Sequence, residues 1–163
     1  MTRQTTLLVS LLLIFLTGYG QTDTTFVEAD HYKTQKFDVA IFPANSRDLI
    51  GGQRFTPTRA DIDRAERALK IELKNLNTNL QNQSSTPIIH RKLRKYKRQY
   101  FGYIDKHGDQ ILLINCFWSN DKGEHDRWLR KMIMVYDGGS YYWNIKFNLD
   151  KNELFELRVN GYA

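Results

Sequence analysis

Cysteine occurs once in the 163 residues, at Cys116, and proline only three times. A single thiol excludes an intramolecular disulfide, so the hydrophobic core has to hold the fold alone. Cys116 lies within Ile111-Leu112-Leu113-Ile114-Asn115-Cys116-Phe117-Trp118, the setting of a buried, inert thiol rather than a nucleophile. No glycine-rich stretch precedes a helix, which excludes a phosphate-cradling loop. Histidine is also sparse. His31, His90, His107 and His125 have no metal-ligand spacing, and each reads as a surface residue. Asp121, Glu124, His125 and Asp126 share one loop but lack the ligand order of a calcium site. No catalytic residue, metal or cofactor is implied.

Long apolar runs are missing too. The longest, Leu7 to Leu16, is about ten residues, half of the roughly 20 needed to cross a bilayer. With Arg3 before it and Gly18 and Gly20 after it, the run has the layout of a cleavable secretory signal covering residues 1–20. The expected location is secreted or periplasmic, with no transmembrane segment after cleavage near Gln21. Roughly 140 residues then remain, enough for one domain.

Positive charge is present, and it is concentrated. Arg91, Lys92, Arg94, Lys95, Lys97 and Arg98 alone equal the formal net charge of +6, so the remainder of the chain is close to neutral. Two readings follow. The run can hold an anionic polysaccharide, lipid headgroups or an acidic protein, or it can be a solvated edge that discourages sheet-to-sheet association. Nucleic acid fits the charge but not an exported protein. Aromatic residues crowd the second half of the chain. Trp118 and Trp128 flank the loop Ser119 to Asp126 and are candidates for the rim of a ligand-binding mouth. Asn82-Gln83-Ser84 is a glycosylation sequon.

Periodicity supplies the fold. Residues 21–36 are polar and read as a mobile amino-terminal arm, and residues 37–163 as a single α+β domain. Phe37 to Phe42, stopped by Pro43, predicts a short strand on a sheet edge. Thr58 with Asp61 predicts a capping box, with Thr56 as cap and Pro57 in the first turn as the variant, followed by an apolar stripe at Ile62, Ala65, Leu69, Leu73, Leu76 and Leu80. Ile88 to Lys95 reads as a short helix or irregular lead-in. Strands are expected at Lys97–Ile104, Gln110–Trp118, Trp128–Tyr136, Tyr141–Phe147 and Leu154–Val159, with Asp137-Gly138 as a hairpin turn. The expected architecture is one long amphipathic helix packed on a four- to five-stranded antiparallel meander, plus the short amino-terminal strand.

This helix-then-meander order resembles the α+β group that includes the cystatin-like and nuclear-transport-factor-like folds. Leu49-Ile50-Gly51-Gly52 is similar to the amino-terminal wedge of cystatins, and Gln99-Tyr100-Phe101-Gly102 echoes their hairpin loop. That echo is one residue short and sits inside a predicted strand, and no Pro-Trp pair follows. Phe55-Thr56-Pro57-Thr58, Tyr96 to Tyr103, Ile114-Asn115-Cys116-Phe117, Asp137-Gly138-Gly139 and Val159 to Ala163 resemble small exported Bacteroidota proteins of unassigned function. The combined expectation is an exported, non-catalytic binding or interaction module. A pocket hydrolase or isomerase of the nuclear-transport-factor-like type is the alternative, with a cystatin-like inhibitor more remote. The pocket enzyme needs an inward Asp or His on the sheet, and the predicted apolar face offers none.

Overall fold

A computed structural model describes residues 27–47, 50–118 and 127–162. The signal-like residues 1–20, Leu49, the Ser119 to Asp126 loop with its acidic cluster, and His125 lie outside the described residues. The elements are β1 (Asp30–Lys33), β2 (Asp38–Phe42), β3 (Arg54–Phe55), α1 (Arg59–Leu76), β4 (Tyr96–Ile104), β5 (Gln110–Trp118), α2 (Arg127–Arg130), β6 (Tyr142–Asn148) and β7 (Glu153–Val159). Three 3₁₀ turns, Ile89–Arg91, Leu93–Lys95 and Gly139–Tyr141, complete them.

The fold is α+β with one main helix, and its sheet is larger than the predicted meander. Seven strands run in the order β1-β2-β4-β5-β6-β7, with β3 paired to β4 beyond the end of β2. β4 to β7 form the expected antiparallel series. β2 departs from expectation, because it lies parallel to β4 and is flanked by β1. Val39, Ala40, Ile41 and Phe42 are all buried. A run that is apolar on both sides belongs inside a sheet, and the edge falls to β1 instead. β1 lies within residues 21–36, so Asp30–Lys33 forms sheet rather than a mobile arm. Parallel strands need a long crossover, which α1 provides.

The start of α1 follows its sequence signal. Thr58 Oγ1 accepts the Asp61 amide at 3.2 Å, and the Asp61 carboxylate accepts the Thr58 amide at 2.9 Å, satisfying donors that a helix amino terminus leaves free. Ile62, Ala65, Leu69 and Leu73 are buried as predicted, joined by Ala68. Leu76 and Leu80 are both 40% exposed, because the helix ends at Leu76 and Leu80 adopts a φ of 48°. The stripe covers one sheet face through Val39, Ile41, Tyr96, Tyr100, Leu112, Ile114, Cys116, Trp143, Ile145 and Phe147.

The second face carries a smaller cluster around Ala40, Phe42, Phe101, Phe117 and Trp128. Its cover is the segment predicted as the strand Trp128–Tyr136. That segment forms α2 and then an extended strap outside the sheet. Side-chain amides take over the hydrogen bonds that a ladder would supply. Gln99 Nε2 donates to the Trp128 and Lys131 carbonyls at 2.7 and 2.8 Å, and its Oε1 accepts the Ile133 amide at 2.8 Å. Asn115 Nδ2 donates to Gln99 Oε1 and to the Ile133 carbonyl at 2.9 and 2.8 Å. Gly138 has the positive φ expected of the Asp137-Gly138 turn but Asp137 does not, and the pair leads into the 3₁₀ turn Gly139–Tyr141 rather than joining two strands. Gly102 is required where β3 meets β4, since a Cβ there would lie 2.6 Å from the Phe55 carbonyl oxygen.

Candidate functional site

Ile89 and Leu93 explain how the basic run is displayed. Ile89 is buried and Leu93 packs against the helix-side core, anchoring two successive 3₁₀ turns whose arginines and lysine face outward. Arg91, Lys92, Arg94 and Lys95 are exposed. The four cations fall within five consecutive positions, so they are displayed close together. Among the described residues none of these four joins a salt bridge. Arg94 Nη2 donates instead to the Gln35 carbonyl at 2.9 Å, tying the turns to the β1–β2 connection. Beside them His90 Nδ1 lies 3.0 Å from Asn77 Nδ2. Burial, then the charges of Arg91 and Lys74, holds the His90 imidazole below its ordinary pKa.

The last two cations of the run part company, because successive strand residues face opposite ways. Lys97 points to the second face, where its Nζ lies 4.5 Å from the centroid of the Trp128 ring. His31 meets the same ring edge-on at 5.2 Å. His31 Nε2 is 2.6 Å from Asp38 Oδ1, and Lys33 Nζ is 3.1 Å from Asp38 Oδ2. Burial pushes the Asp38 carboxyl up, but hydrogen bonds from His31 and Lys33 outweigh it and hold the group below its usual range. Arg130 and Lys131, both exposed, continue from Trp128. Sequence reasoning missed the His31, Lys33 and Asp38 group, because it left β1 out of the sheet.

Arg98 is not on this surface. Its side chain is 1% exposed, with Nη1 at 3.3 Å from Glu66 Oε1 of α1. Arg98 Nη2 donates to the Leu93 carbonyl at 2.6 Å, and the Tyr100 hydroxyl donates to Glu66 Oε1 at 2.7 Å. Arg98 Nε and Nη1 have no hydrogen-bond acceptor. Burial pushes the Glu66 carboxyl up against the opposing pull of Arg98, and burial also raises the Tyr100 phenol. The charged pair between helix and sheet is therefore Glu66 on α1 and Arg98 on β4. Both were readable in position, since Arg98 alternates with Tyr96 and Tyr100 while Glu66 falls between Ile62 and Leu69. Cys116, paired across from Arg98, is fully buried, and burial pushes its thiol far up.

Trp118 and Trp128 do not share a mouth. Trp118 is half-buried on the helix side, edge-on to Tyr96 at 5.3 Å and to Tyr141 at 5.6 Å. Trp128 is 3% exposed in the opposite cluster. The sequon is engaged internally, as Asn82 Nδ2 donates to the Asn160 carbonyl at 2.9 Å. Gln99-Tyr100-Phe101-Gly102 lies in the interior of β4. Among the described residues no three His, Cys, Asp or Glu side chains are grouped to hold a metal, and no helix is long and apolar enough to cross a membrane. No protein-family model matches this chain, and no curated protein or solved structure matches it.

Proposed function

We propose that the chain is an exported, non-catalytic binding module that docks an anionic polymer or envelope surface on the cations of the two 3₁₀ turns. The observation that carries this reading is the exposure of Arg91, Lys92, Arg94 and Lys95 without a carboxylate partner among the described residues. Lys33, Arg59, Lys146, Lys151 and Arg158 each meet a carboxylate; Lys70 and Lys106 are exposed without one among the described residues, but they stand singly, whereas these four cations share five consecutive positions. Unpaired surface cations supply a potential that attracts anions and fades as salt shortens the screening length. Export rests on the Leu7 to Leu16 run. Among the described residues the carboxylate held between helix and sheet, Glu66, is closed in by Arg98 and Tyr100, which favours the binding reading over a pocket enzyme.

Heparin chromatography tests the reading. The unsubstituted chain should be retained at low salt and released as ionic strength rises towards about 1 M, where the Debye length is ~3 Å. Substituting Arg91, Lys92, Arg94 and Lys95 by Gln should remove retention while leaving the circular dichroism spectrum unchanged. Retention that survives all four substitutions would overturn the proposed site.

A further inference from the structure

We infer that the ligand is a linear acidic polysaccharide that bends around the end of β4, from the helix side of the sheet to its second face; this rests on the binding reading above. Sequence adjacency makes the cations look like one short stretch, whereas the fold distributes them over two layers. Arg91, Arg94 and Lys95 project from turns whose anchors, Ile89 and Leu93, belong to the helix-side core. Lys97 passes to the other side and sits on Trp128, a member of the second core. Arg130 and Lys131 extend the positive charge along the strap. The Arg94 bond to the Gln35 carbonyl ties the turns to the β1–β2 connection beside the start of β4. The positive surface is thus a bent track.

Its shape and its rings select among anionic partners. A bilayer is planar and can meet cations on only one side of the sheet end at a time, while a flexible chain can follow both. Single-stranded nucleic acid gains much of its affinity by stacking bases on exposed aromatic faces. Of the rings beside these cations, Tyr96 and Trp128 are 2% and 3% exposed, Lys97 covers the face of Trp128, and the exposed His31 ring is held edge-on to Trp128 by its contact with Asp38. Recognition here is by charge along a bent path, which an acidic polysaccharide supplies through repeated carboxylate or sulfate groups.

The test measures binding of the full chain to sulfated oligosaccharides of graded length, to vesicles containing anionic phospholipid, and to a single-stranded oligonucleotide of similar charge. Affinity should rise at least tenfold from the shortest to the longest oligosaccharide at low salt, with weaker binding to vesicles and to the oligonucleotide. Substituting Lys97, Arg130 and Lys131 by Gln should leave the shortest oligosaccharide bound and remove the gain from length, with an unchanged melting curve showing that the fold is kept. Equal affinity at every length, vesicles that bind as tightly as the polymer, tighter binding of the oligonucleotide, or an unaltered length dependence in the triple variant would each overturn the inference. Loss of binding to all anionic probes by the unsubstituted chain would instead overturn the reading on which it rests.

Discussion

Arg98 and Glu66 form an ion pair between β4 and α1, 3.3 Å apart, with side chains 1% and 9% exposed. Taking two charges out of water costs several kcal/mol each, and their attraction repays this only while both are present. Arg98→Met alone should therefore destabilise the fold by about 3–5 kcal/mol, because Glu66 is left buried without its cation. The double variant Arg98→Met, Glu66→Leu should recover most of that loss. Urea unfolding of the four proteins in the cycle checks it, and additive losses would show that the two residues do not act as a pair.

The amide of Gln99 should behave differently from a packing residue. Gln99→Ala removes the partner of two strap carbonyls and one strap amide, at a cost of about 1–3 kcal/mol for each buried group left unsatisfied. Hydrogen exchange should quicken first in Trp128 to Ile133, before α1 shows any change. Uniform quickening over the whole chain would mean that the strap is not a separable cover.

The helix stripe gives a contrast within one turn. Leu73→Ala should cost about 2–5 kcal/mol as a large-to-small change at a site 1% exposed. Lys70, on the solvent side of the same helix, should tolerate alanine within about 0.5 kcal/mol. Equal small effects in thermal unfolding would refute the packing.

His90 makes stability depend on pH in a stated direction. Its folded pKa lies below the ordinary 6.5, so the unfolded chain binds the proton more readily. The stability contributed by neutral His90 is complete above pH 6.5 and declines as the pH falls below it. Protonation at Nδ1 would also set a positive ring against the Asn77 amide nitrogen. His90→Gln should remove this part of the acid-side decline in chemical unfolding; an unchanged profile would assign the decline to other groups.

The elements legible in the sequence are those whose signals are local. Thr58 and Asp61 lie three residues apart and mark the start of α1 without reference to anything distant. Alternation in Tyr141 to Phe147 and Leu154 to Val159 likewise marks β6 and β7, whose bounds differ from expectation by one residue at most. The parallel pairing of β2 with β4 was not legible, because it depends on a match between Asp38–Phe42 and Lys97–Phe101 across the whole helix. The strap failed for a related reason. Trp128 to Tyr136 has the length and the flanking turn signal of a strand, and what diverts it is a pair of amides, Gln99 and Asn115, on other strands. In the basic run the charges were plain, but their division was set by strand alternation at Tyr96, Lys97 and Arg98. That alternation was available in the sequence and sends Arg98 inward.

The parallel position of β2 also fixes an order of events during synthesis. Val39 to Phe42 leave the ribosome well before β4 exists, and until β4 arrives they have only the short, polar β1 to pair with. Non-local pairings of this kind form late and leave apolar strand exposed in the meantime. A chain released after Lys95, carrying β1, β2 and α1 but no β4, is expected to bind hydrophobic dye and aggregate, whereas one extended through Val159 is not. For a chain that crosses a membrane before folding, that same lateness would keep the amino-terminal half unfolded until translocation is complete.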